Sequence, residues 1–137
     1  MSDSELIQQA LQARKNAYAP YSRFAVGAAL LAGSGRIYTG CNIENAAYSP
    51  TNCAERTAVF KAVSEGERRF IKLALVAANE LLGAPLPAIV SPCGVCLQVL
   101  AEFAEPKMVL LLAKSEDDYE IHTLGELLPL GFSSKDI

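Results

Sequence analysis

Between Asp3 and Tyr18 the apolar positions Leu6, Ile7, Ala10, Leu11 and Ala17, with the alkyl stem of Arg14, return at helical spacing among polar residues. This predicts an amphipathic first helix that Pro20 ends. Phe24 to Leu31 and Arg36 to Gly40 predict two strands of a hairpin, joined by the turn sequence Gly33-Ser34-Gly35. Asn42 to Asn52, rich in Asn, Ser and Pro, predicts a loop, and Cys53 to Ser64 a second helix that stops near Gly66.

Phe70 to Ala78 is a buried strand by the same reading; Leu81 to Pro87 is a connection and Ala88 to Ser91 a short extended piece. Pro92 opens a helix in which Val95, Val99, Leu100 and Phe103 keep the spacing up to Pro106. Met108 to Ala113 is a further strand, followed by a polar hairpin near Glu116 to His122 and a short helix at Leu124 to Leu128. Strands alternating with helices predict an α/β fold, its sheet holding parallel pairs covered by helices.

The 137 residues, 51% of them hydrophobic, fit one domain spanning residues 1–137 with a single core. A net charge of -3 supplies no basic surface for a phosphate backbone, so a small molecule is the expected partner and nucleic acid is not. Met1 to Lys15 lacks the features of a signal peptide and no apolar run reaches membrane-spanning length, so a cytoplasmic protein without a membrane partner is expected. In a reducing compartment the four cysteines Cys41, Cys53, Cys93 and Cys96 suit metal ligation or catalysis better than disulfides.

The chemistry concentrates in Cys53-Ala54-Glu55-Arg56 and Pro92-Cys93-Gly94-Val95-Cys96, each at a predicted helix start. Cys93 and Cys96 share one helix face, and Cys53 can add a third thiolate if the two helices begin side by side. Three ligands leave the fourth zinc position open, which marks a catalytic zinc able to acidify water. Glu55 is then placed to carry protons. Three thiolates and one zinc sum to a charge of -1, which two helix N-termini and Arg56 would offset. A glutamate two residues after the first ligand and a later Pro-Cys-x-x-Cys are the signature of zinc base deaminases.

The chain resembles the cytidine deaminase family, specifically its short homotetrameric branch. The resemblance is carried by Phe24-Ala25-Val26-Gly27-Ala28-Ala29, Gly40-Cys41-Asn42-Ile43-Glu44-Asn45, Cys53-Ala54-Glu55-Arg56-Thr57-Ala58 and Ser91-Pro92-Cys93-Gly94-Val95-Cys96, in that order over nearly the whole chain. It implies a three-layer α/β/α sandwich with a mixed five-stranded sheet, one zinc ion per subunit, and a homotetramer whose active sites are shared between subunits. It also implies hydrolytic deamination of cytidine and 2′-deoxycytidine, a reaction of pyrimidine salvage. Asn42 and Glu44 match residues that hold the ribose hydroxyls, and Phe24 one that packs beside the nucleoside. Phe132 resembles an aromatic that reaches a neighbour's pyrimidine, and Ala46 and Tyr48 resemble loop residues contributed across an interface. Backbone groups near Ala54 and Ser91 are candidates for the base edge. Leu97 departs from the family, which often has arginine there ahead of a glutamine such as Gln98, and so puts a local ion pair in question.

Two other readings remain open at this level. A related zinc deaminase could act on another amine-bearing base, and all four cysteines could close a structural zinc site that leaves no room for water. The second predicts that Cys41 joins the other sulfurs, whereas a small thiol packed in the sheet explains Cys41 without a metal. His122, the only histidine, is expected to be solvated or on an edge strand with no chemical role.

Overall fold

The first helix begins where Ser2 can cap it. In the computed structural model, which describes residues 1–137, the Ser2 hydroxyl accepts from the Glu5 N–H and the Glu5 carboxylate accepts from the Ser2 N–H, opening α1 (Asp3–Arg14). The helix stops at Arg14, short of the predicted Tyr18, because the chain is redirected there. Tyr18 donates to the Asn42 carbonyl and bridges to Ile43 as extended chain. Arg14, whose stem the spacing predicts on the apolar face, is buried together with its head, and its guanidinium donates to the carbonyls of Ala25, Ala78, Asn79 and Leu82 at 2.7–3.0 Å. One side chain thus satisfies backbone acceptors where β1, β3 and the chain beyond β3 come together.

The hairpin forms as β1 (Phe24–Ala32) and β2 (Ile37–Cys41), with Gly35 at φ 92° in the turn, a backbone angle that glycine adopts without strain. β3 (Phe70–Asn79), β4 (Val109–Ser115) and β5 (Asp118–Thr123) complete a five-stranded sheet in the order β2-β1-β3-β4-β5. Only β3 and β4 pair in parallel; the other pairs are antiparallel, so the sheet is mixed. The expectation of several parallel pairs is corrected to one. β2 and β3 do run the same way, joined by α2 (Ala54–Ser64), but β1 lies between them. The α2 crossover therefore connects co-directional strands without making them neighbours, whereas the crossover that follows β3 leads to the adjacent β4. The extended piece predicted at Ala88 to Ser91 is not a strand, since the positions beside β3 and β4 are already filled.

Side chains alternate across the sheet as a period of two requires. Ala28, Leu30, Leu73, Leu75, Leu110 and Leu112 face a core with α2 and α3 (Gly94–Phe103), while Ala29, Ala74, Val76, Leu111 and Ala113 face Leu6, Ile7 and Ala10 of α1. The result is the three-layer α/β/α arrangement. α4 (Leu124–Leu127) follows β5 directly and covers the first core through Leu124. No helix is long and apolar enough to cross a membrane.

Gly40 sets the height of α2 over the sheet. A Cβ there would lie 2.5 Å from the Ala54 carbonyl and 2.6 Å from the Ala58 nitrogen, both backbone atoms of the helix. The absent side chain lets the start of α2 sit directly on the end of β2.

Candidate active site

The two cysteine segments meet because α2 and α3 start at the same end of the sheet, on one face. Cys53 and Cys93 are the residues immediately before these helices, in extended backbone, and neither spends its side chain on capping. The helices begin one and two residues later than Cys53 and Pro92, the predicted starts. Cys96 lies in the first turn of α3 and is buried. Its sulfur is 3.5 Å from that of Cys93, which is 3.9 Å from that of Cys53, and all three lie within 4.8 Å of one another. A tetrahedral zinc with bonds of about 2.3 Å separates its sulfurs by about 3.8 Å, so this donor set fits the ion. Cys41 lies outside the group, half-buried at the end of β2, and burial pushes its thiol up. The three-sulfur arrangement leaves room that a closed four-sulfur site would not.

The surroundings favour an anionic sulfur at Cys53. The Cys96 thiol donates to Cys53, which holds Cys53 well below the usual thiol range against the opposing effect of burial, and raises Cys96. Arg56 Nη2 lies 3.1 Å from Cys53 Sγ. Burial works against the guanidinium's charge, but its bonds to Cys53 and Cys96 outweigh that and raise its pKa, so Arg56 stays cationic beside the thiolates. Its Nε is buried without a partner, so the side chain is committed to the sulfurs through one edge only. Glu55 is 4% exposed. Burial pushes its carboxyl up to about 7; its own backbone N–H opposes this and the negative Cys53 adds to it. A carboxyl near neutrality both takes and returns a proton.

Residues 1–112 match the cytidine and deoxycytidylate deaminase zinc-binding region. The chain is also 53% identical over its full length to a cytidine deaminase of Sporosarcina psychrophila, covering 96% of that protein. The chain belongs to the cytidine deaminase family. Among solved structures, the cytidine deaminase of Burkholderia pseudomallei superposes with a TM-score of 0.86 at 41% identity, covering 96% of this chain and all of that one. That of Mycobacterium tuberculosis gives 0.81 at 39% identity, with 96% and 98% covered. The family is hydrolytic and zinc-dependent, so this chain is a hydrolytic deaminase whose cofactor is zinc.

Around the deaminase's cysteines the other sequence-predicted residues fall into two groups. Phe24 opens β1, and Asn42 and Glu44 follow β2 on the neighbouring chain segment. Asn42 is buried, its Oδ1 accepting from the Val26 N–H at 2.9 Å and its Nδ2 donating to the Phe24 carbonyl at 2.7 Å. Much of its amide is thus engaged in joining β2 to β1, although one N–H and one lone pair remain. Glu44 lines a cavity of about 330 Å³ with Tyr21, Ser22, Tyr48 and Thr51. Ala54, first in α2, keeps an N–H without an intrahelical partner.

The second group is exposed. Tyr48 stands 71% exposed at φ 52°, edge-on to Tyr21 with ring centroids 6.1 Å apart, and Ala46 lies beside it in the loop. Phe132 is 58% exposed, its carbonyl held by Gln98 Nε2 at 2.8 Å. Leu97 is buried in the core of α2, α3 and the sheet, where it packs as an apolar side chain. A broad depression of about 1270 Å³ runs along polar positions of α1 and contains none of these residues. Sequence reasoning missed Arg14 and Ser22. A charged residue at a core-facing helical position signals the first, and a hydroxyl two residues before Phe24 is only a weak signal for the second.

Proposed function

We propose that this deaminase hydrolyses cytidine and 2′-deoxycytidine to uridine and 2′-deoxyuridine, releasing ammonia, with Cys53, Cys93 and Cys96 as the zinc ligands and Glu55 as the proton carrier. The observation that carries the reading is a set of three sulfurs at tetrahedral spacing beside a buried carboxyl poised near 7. Relatives of known name, including the Sporosarcina psychrophila protein, are cytidine deaminases.

Zinc held by the three thiolates would supply Lewis-acid activation of the attacking water. Glu55 takes a proton from that water as it attacks pyrimidine C4 and gives one to N3. It then takes the remaining proton from the hydroxyl now on C4 and passes it to the exocyclic nitrogen, and the C4–N bond breaks to expel ammonia and leave the carbonyl. Arg56 and the N-termini of α2 and α3 stabilise the thiolate charge throughout. Asn42 and Glu44 hold the sugar with their remaining hydrogen-bonding capacity, Phe24 packs beside the nucleoside, and the Ala54 N–H faces the base edge. Ala46, Tyr48 and Phe132 serve a neighbouring subunit's site in a homotetramer; their exposure supports that role. The whole chain, 1–137, acts as one catalytic domain in cytoplasmic pyrimidine salvage, and the four free cysteines suit a reducing compartment.

Incubating zinc-loaded protein with cytidine and following the fall in ultraviolet absorbance tests the proposal. Conversion to uridine with one zinc per chain supports it. Zinc-loaded, folded protein that leaves both cytidine and deoxycytidine untouched overturns it.

A further inference from the structure

The Glu44 carboxylate is already occupied on most sides. Its Oε1 accepts the Tyr21 N–H at 3.0 Å and the Ser22 N–H at 3.1 Å, and its Oε2 accepts the Ser22 hydroxyl. A carboxylate offers about four acceptor positions, so roughly one remains, and it is on Oε2. Any sugar hydroxyl bound by Glu44 must therefore share Oε2 with Ser22.

The direction of that shared bond is not free. Ser22 Oγ accepts the Phe24 N–H at 3.0 Å, leaving its single proton for Glu44. One hydroxyl thus ties the backbone of Phe24, which opens β1, to the oxygen that keeps a spare acceptor position on a residue lining the cavity. The next residue carries the strain that makes this possible. Arg23 adopts φ 61°, a left-handed conformation unfavourable for a side chain of this kind, and is held from both sides. Its N–H donates to the Ala19 carbonyl at 2.9 Å, its carbonyl accepts the Glu80 N–H at 2.7 Å, and its guanidinium pairs with Glu80 at 2.9 Å. The turn thus presents two N–H groups and a hydroxyl to one carboxylate.

We propose that Ser22 is a positioning residue for sugar recognition: its hydroxyl orients Glu44 Oε2 toward the nucleoside hydroxyl and couples that oxygen to the Phe24 backbone. This rests on the reading of Glu44 as a ribose ligand. The same hydroxyl is also the main reason the Glu44 carboxyl lies below the usual carboxylate range, ahead of the two backbone N–H groups.

The test compares cytidine with 2′,3′-dideoxycytidine, which lacks the hydroxyls, in steady-state kinetics of the zinc-loaded enzyme. Ser22→Ala is expected to raise KM for cytidine about tenfold with kcat within about twofold, and to leave KM for the dideoxynucleoside unchanged. Ser22→Thr restores the wild-type KM, and in a Glu44→Gln background Ser22→Ala has no further effect on KM. Thermal melting of each variant establishes that it is folded. An equal rise in KM for both nucleosides, or none for either, overturns the inference while leaving the functional reading intact. Wild-type enzyme that turns over neither nucleoside overturns the functional reading, and this inference with it.

Discussion

Glu55 can be changed without touching a sulfur, which separates proton transfer from metal binding. Glu55→Gln is expected to lower kcat by about 10³-fold, within the usual range for a lost general acid–base, with zinc content unchanged in metal analysis. The cysteines divide in the opposite sense. Cys53→Ser should lose zinc, because it removes one of three clustered sulfurs. Cys41→Ser should retain both zinc and activity, because Cys41 is outside the cluster. Zinc lost with Cys41 would restore the closed four-sulfur reading. That Cys53, Cys93 and Cys96 gather at two helix starts was readable because thiols at these spacings have few other uses. The roles of Ser22 and Arg14 were not, since hydroxyls and arginines are usually surface groups, and only the tertiary contacts distinguish these two.

At the scale of elements, the site depends on how closely α2 lies on the sheet. Gly40→Ala would place a methyl 2.5 Å from the Ala54 carbonyl, and backbone cannot yield as a flexible side chain does. The expected cost is about 2 kcal/mol in denaturant unfolding, with weaker zinc retention because the Cys53 end of α2 must lift. The junction of β5 and α4 carries a different dependence. His122 Nε2 and Nδ1 bond Glu120 and Glu126 at 2.8 and 2.5 Å, and these two carboxylates raise its pKa. Because the folded-state value lies above the ordinary 6.5, the stabilisation is full below about 6.5 and is lost as pH climbs through the folded value. His122 is the only histidine, so a single imidazole resonance reports it. Its NMR midpoint should exceed 6.5 and fall in Glu126→Gln; an unchanged midpoint would mean that the pair does not hold the proton. The expectation that His122 sits on an edge strand agrees with β5 at the sheet's margin; Glu120 shares its strand and face, whereas Glu126 comes into reach only because α4 follows β5 directly.

For the whole molecule, the exposed aromatic Phe132 and the loop around Tyr48 are the groups a neighbouring chain would use. Sizing should give four chains, and Phe132→Ala should raise KM for cytidine several-fold while leaving the zinc content unchanged; a fully active monomer would remove the shared-site proposal. The sequence by itself determined most of the elements, the alternation of buried positions and the ligand chemistry, because periodicity and residue type are local properties. It also contained the resemblance that implied a mixed sheet. Which strands are neighbours, where α1 stops, that Cys53 and Cys93 precede their helices, and that Arg14, Asn42 and Ser22 join separate segments were decided only by tertiary structure. These depend on contacts between residues far apart in the chain, where a carbonyl or carboxylate takes whichever donor the packed backbone brings within about 3 Å.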